Sequence, residues 1–182
     1  MDKIRIQSCR VRMLLQCLFF AVPAFILFYW LSVGTGLDFI TRYGIFETAH
    51  PPARYTDQAL NLTTRFLAFL ASMVPAAVVM YALSHLIRLF KGYEKGEIFT
   101  LEATTHIRKL GYSFLYWMAG SFVYSGLISV ILSFNNPPGS RVLSLTFTGL
   151  DLMPLLCAFI VLIIAWVMAE AQQLADENQL TI

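Results

Sequence analysis

Four long apolar runs, set apart by polar stretches, give this chain its pattern. They predict spans at residues 13–33, 66–88, 111–134 and 150–169. Each is close to the roughly 20 residues that an α-helix needs to cross a bilayer. The polar stretches become an outward loop at 34–65, a central loop at 89–110 and a tail at 170–182. The expected fold class is therefore all-α: an integral membrane four-helix transmembrane bundle, one domain over residues 1–182.

Details within the runs add local expectations. The first run follows a basic segment, as a secretory signal does, but exceeds the roughly 7–15 apolar residues of a signal core. It is read as an uncleaved span, with Phe28, Tyr29 and Trp30 as an aromatic anchor at its far end. Thr56 is expected to cap a helix beginning at Asp57. Pro23, Pro75 and Pro154 are expected to kink their helices by removing a backbone donor and crowding the preceding turn. Ser121, Ser125, Ser129 and Ser133 recur every four residues, which puts them on one helical face. They suit a helix-packing seam or, alternatively, the polar lining of a path.

Composition agrees with the pattern. The chain is 58% hydrophobic and 13% charged, against about 45–50% and about 25% in soluble domains. A net charge of +2 with no dense basic stripe argues against direct nucleic-acid binding. Cys9, Cys17 and Cys157 form no CxxC pair, so thiol exchange is not expected.

The bases set an orientation. Lys3, Arg5, Arg10 and Arg12 precede the first span, and Arg88, Lys91, Lys95, Arg108 and Lys109 lie in or beside the central loop. The opposite side holds Arg42, Arg54, Arg65 and Arg141. Nine of thirteen bases on one side predict that both termini and the central loop are cytoplasmic. This is the arrangement of a multi-pass protein of a bacterial inner (plasma) membrane.

The central loop carries its own signals. Gly92 and Gly96 suit the end of the second helix, and Thr100 suits an N-cap with Glu102 in the first turn. The stretch 101–111 is expected to form a short interfacial helix or an elbow into the third span. Asp176 or Glu177 of the tail is placed to meet Arg108, Lys109 or Lys95.

Two segments carry a resemblance. Gly96-Glu97-Ile98-Phe99-Thr100 followed by Ile107-Arg108-Lys109-Leu110-Gly111, and the ending Asp176-Glu177-Asn178-Gln179-Leu180-Thr181-Ile182, resemble patterns of a bacterial family of small membrane proteins of unknown function, the YoaS-like proteins (domain of unknown function 2975). Asp176 and Gln179 stand where that family more often has glutamate. The resemblance implies a four-helix membrane protein, and a partner in a small helix-turn-helix regulator. It brings no catalytic residue with it.

Chemistry is sparse. Phosphate-loop, HExxH and GxSxG motifs are absent, and no acid or base lies deep in a span. No enzyme activity and no cofactor are expected. The leading expectation is a docking or regulatory component in contact with the lipid bilayer. Its partner is the small regulator, a larger membrane complex or a second copy of the chain. The docking residues are Gly96, Glu97, Phe99, Thr100, Arg108, Lys109, Glu177, Asn178, Leu180 and Thr181. The alternatives are a small transporter or channel subunit using the serine face, and a haem- or metal-binding redox protein using His85 and His106.

Overall fold

The computed structural model describes residues 2–36, 38, 41, 50–56, 58–98, 100–137, 139–145 and 152–179. Among them there is no strand. Four α-helices dominate: α1 (Asp2–Ser32), α2 (Leu62–Lys95), α3 (Leu101–Ser133) and α4 (Leu152–Gln179), with one 3-10 turn at Pro52–Arg54. All four are long and apolar enough to cross a membrane. Their surfaces say the same. Phe20, Leu62, Met153, Phe159 and Trp166 are exposed, while Ser125, Ser129, Ser133, His85 and His106 are buried. Such a reversal fits a lipid surround, because a soluble monomer rarely exposes so much contiguous apolar area. The protein is a multi-pass membrane protein.

Several local expectations change. Thr56 caps no helix: α2 begins at Leu62, and the Thr56 hydroxyl accepts the Gln58 N–H instead. Gly92 lies inside α2, whose last residue is Lys95, while Gly96 ends the helix as expected, with φ +89°, a left-handed conformation that costs glycine little. Residues 101–111 form no separate elbow; they open α3, which continues unbroken to Ser133. Pro154 sits in the first turn of α4, where a missing N–H costs nothing. Pro23 and Pro75 lie within continuous helices.

The contacts divide the chain into two compact units. The first comprises Met1–Phe20, Val78–Met118 and Gly149–Ile182. Small residues bring its helices close. A Cβ on Gly111 would stand 2.8 Å from Leu162 Cγ and 3.4 Å from Leu162 N, so α3 meets α4 nearly backbone to side-chain root. Ala103, Ala158 and Ala165 are buried in the same unit. Close approach through small residues is how membrane helices gain dispersion contacts when no hydrophobic driving force separates them from lipid. Polar ties add to this: Arg12 Nε donates to Glu94 Oε1 at 2.7 Å, and Arg5 Nε to the Glu94 carbonyl at 2.9 Å.

The second unit comprises Ala21–Ala77 and Ala119–Thr148. Its core gathers Tyr29, Trp30, Val33, Tyr55, Ala68, Ile128 and Leu132. Trp30 and Tyr29 are thus interior, 2% and 9% exposed, and of the expected anchor only Phe28 is outward. Arg65 closes the C-terminal end of α1, its Nη1 donating to the Trp30 and Leu31 carbonyls and its Nε to that of Leu60. A cation there also complements the helix dipole. Burial pushes the Asp38 carboxyl up, but N–H donors from Gly34 and Thr41 and the charge of Arg65 more than offset it and hold Asp38 below its ordinary value.

The serine face of α3 belongs to this second unit. Three of its hydroxyls bond back to their own helix, Ser125 to the Phe122 carbonyl, Ser129 to that of Gly126 and Ser133 to that of Ser129. Ser129 Oγ also accepts the Ser144 N–H at 3.0 Å, and Ser133 Oγ accepts the Val142 N–H at 3.1 Å. An extended chain advances about 6.6–6.8 Å in two residues and a helix about 6 Å in four. Serines spaced by four can therefore serve alternate amides of a segment running antiparallel to the helix. The stretch 141–145 is held that way at Val142 and Ser144, whose amides are satisfied by helix side chains.

Candidate functional site

The polar features of the first unit converge where α2 ends and α3 begins. Arg88, Lys91 and Lys95 are spaced by three and four residues, which places them on one face of the last two turns of α2. After Gly96 the chain folds back, the Glu97 N–H donating to the Gly92 carbonyl at 3.1 Å. A Cβ on Gly92 would sit 3.7 Å from the Glu97 carbonyl oxygen, so a small residue suits the return. Thr100 then caps α3: its Oγ1 accepts the Ala103 N–H at 3.2 Å, and its carbonyl accepts that of Thr104.

Between these walls lies a cavity of about 220 Å³, lined by Arg88, Lys91, Lys95, Glu97, Glu102 and His106, with Leu89, Gly92, Thr100 and Ala103. Beside it, His85 Nδ1 and His106 Nδ1 are 3.1 Å apart and both rings are buried. Such a contact needs a proton on one nitrogen and a lone pair on the other. Glu102 Oε1, 3.8 Å from His106 Nε2, favours the proton on that Nε2. In that tautomer His106 Nδ1 accepts and His85 Nδ1 donates; in the other the roles reverse. The Tyr81 ring stands edge-on to His85, with centroids 4.5 Å apart.

The two imidazoles offer two nitrogens to a metal. Among the described residues no group of three or more His, Cys, Asp or Glu side chains converges around them or elsewhere. The tail meets this region through Gln172 of α4, whose Nε2 donates to Thr104 Oγ1 at 3.0 Å.

Of the docking residues expected from the sequence, Gly96, Glu97 and Thr100 lie at the return, and Glu97 and Thr100 line the cavity. Arg108 is exposed and Lys109 half-buried on α3, and Glu177 is exposed on α4. Phe99, Leu180 and Thr181, and the side chains of Asp176 and Asn178, lie outside the described residues. Ser125, Ser129 and Ser133 are buried and Ser121 half-buried. Sequence reasoning missed the basic face of α2 as a cavity wall. The 88, 91, 95 spacing was the available signal. It also missed Gln172–Thr104, for which a neutral pair left no charge pattern to read.

No curated protein and no solved structure matches this chain. The model of a family described as protein of unknown function (DUF2975) matches residues 8–182, and the chain belongs to that family.

Proposed function

We propose that this protein is a non-enzymatic docking component of a bacterial inner membrane, with both termini and the segment 89–110, the end of α2, the return and the start of α3, in the cytoplasm. This segment and the tail form one surface for a partner, which is a small helix-turn-helix regulator, a larger membrane complex or a second copy of the chain. The observation that carries this reading is the Gln172–Thr104 hydrogen bond, which joins the tail helix to the first turn of α3. A bundle that fixes two segments side by side can present them together. A signal then acts by favouring one arrangement over another. The excess of bases around the N-terminal segment and the central loop supports the orientation.

The test is co-purification from mild detergent, with partners identified by mass spectrometry. Deleting residues 174–182 should abolish recovery of the partner while the chain itself still inserts and purifies. Unchanged recovery would refute the reading.

A further inference from the structure

The cavity between α2 and α3 is lined by charges of both signs. Its three bases, Arg88, Lys91 and Lys95, all come from α2, and its two acids, Glu97 and Glu102, from the return and the first turn of α3. Opposite charges thus face one space. Yet among the described residues none of the three bases makes an ion pair or a hydrogen bond, and neither acid pairs with them. Glu102 has only the distant contact with His106, and its side chain is 80% exposed. Three cations on adjacent turns repel one another, and all three, like Glu97, are exposed to solvent.

A ligand of one sign fits poorly. A bare polyanion would meet the two carboxylates, and a bare cation would meet the three bases. A ligand carrying both charges, a few ångströms apart, satisfies both walls through charge-assisted hydrogen bonds. The cavity lies where α2 ends at Lys95 and α3 begins at Leu101, the termini of two candidate spans. Phospholipid headgroups lie at that level.

We propose that this cavity binds a zwitterionic phosphate ester of the phosphoethanolamine class. The phosphate meets Arg88, Lys91 and Lys95, and the ammonium donates to Glu97 and Glu102. Such a group comes from a lipid headgroup or from a free phosphate ester. The inference stands apart from the docking reading, because no protein partner enters it.

The experiment uses the full chain in detergent, with the unfolding midpoint followed as each probe is added at constant ionic strength. The probes are short-chain phosphatidylethanolamine, phosphatidylcholine and phosphatidylglycerol, and free phosphoethanolamine. Phosphatidylethanolamine should stabilise saturably. Phosphatidylcholine, whose quaternary ammonium has no N–H to donate, and phosphatidylglycerol, which has no cation, should do so more weakly. Lys91→Gln with Lys95→Gln should weaken the apparent affinity on the order of tenfold. Glu97→Gln with Glu102→Gln should keep phosphate binding but lose the preference for the amine. Arg141→Gln, outside the cavity, should behave as wild type. Saturation by free phosphoethanolamine at similar concentrations identifies a soluble ligand, and saturation by the lipid alone identifies a headgroup site. Equal responses to all three lipids, a preference for phosphatidylglycerol, or an unchanged response in the double lysine variant would overturn the proposal.

Discussion

Trp30 donates its indole N–H to Ser72 Oγ at 2.9 Å, and both side chains are buried. The serine in turn donates to the Ala68 carbonyl at 2.8 Å, so a polar chain runs from α1 into the backbone of α2. Ser72→Ala leaves the buried indole without an acceptor, at a cost of about 1–3 kcal/mol. Reversible unfolding in mixed micelles should show that loss, with a tryptophan emission change in the folded protein. A loss within error of zero would mean that another acceptor replaces the serine.

Gly111 and Leu162 set a second test. Gly111→Ala drives a Cβ into Leu162 Cγ and Cδ2, both 2.8 Å away. Overpacking of this kind costs about 1–3 kcal/mol. Leu162→Ala in the same chain should recover part of the loss, because the clash is removed, and a double-mutant cycle reads that coupling.

The serine face separates two roles. Ser129→Ala and Ser133→Ala remove acceptors for the Ser144 and Val142 amides, so hydrogen exchange at 142–144 should accelerate. Ser125→Ala removes a bond to the carbonyl of Phe122 and should leave that exchange unchanged. A hydrated path would behave differently, with all three substitutions altering flux and none altering exchange.

Acid should loosen the segment around His50. Burial and the nearby Arg54 hold this imidazole below its ordinary value of about 6.5. Its Nδ1 lies 2.8 Å from the Tyr55 hydroxyl. Because the folded value is depressed, the unfolded segment takes up the proton first. Stability is therefore complete above about 6.5 and is lost as the pH falls from there toward the folded value. Exchange at 50–56 should rise on acidification, and His50→Gln should flatten that dependence.

Arg12 and Glu94 predict a salt effect. Their side chains are 25% and 22% exposed, so the 2.7 Å pair is open to screening. The unfolding midpoint should fall slightly as salt is added. In Glu94→Gln it should start lower and respond less.

The four helices could be read from the sequence because the bilayer imposes a length and an apolar content on each span, and both are local properties. Helix ends were less legible. Thr56 has the right chemistry for a cap, but α2 starts at Leu62, and the hydroxyl serves a turn instead. Tyr29 and Trp30 resembled an interfacial anchor, since aromatic composition does not distinguish a lipid-facing ring from one packed on Ala68 and Ile128. The four-residue serine spacing was visible. The segment it holds was not, because that bond pattern depends on a chain reversal after Phe134 that no periodicity encodes. In the candidate site, the two histidines stood 21 residues apart in sequence and their approach was conceivable, but only the helix pairing places Nδ1 against Nδ1.

Cysteine labelling from outside the cell tests the proposed arrangement most directly. Cys9, Cys17 and Cys157 are first replaced, and single cysteines are introduced as Lys95→Cys, Ser140→Cys and Glu177→Cys. The account predicts that a membrane-impermeant maleimide labels the position-140 variant in intact cells, and labels the other two only after permeabilisation. Labelling of the variants at 95 or 177 in intact cells would contradict it.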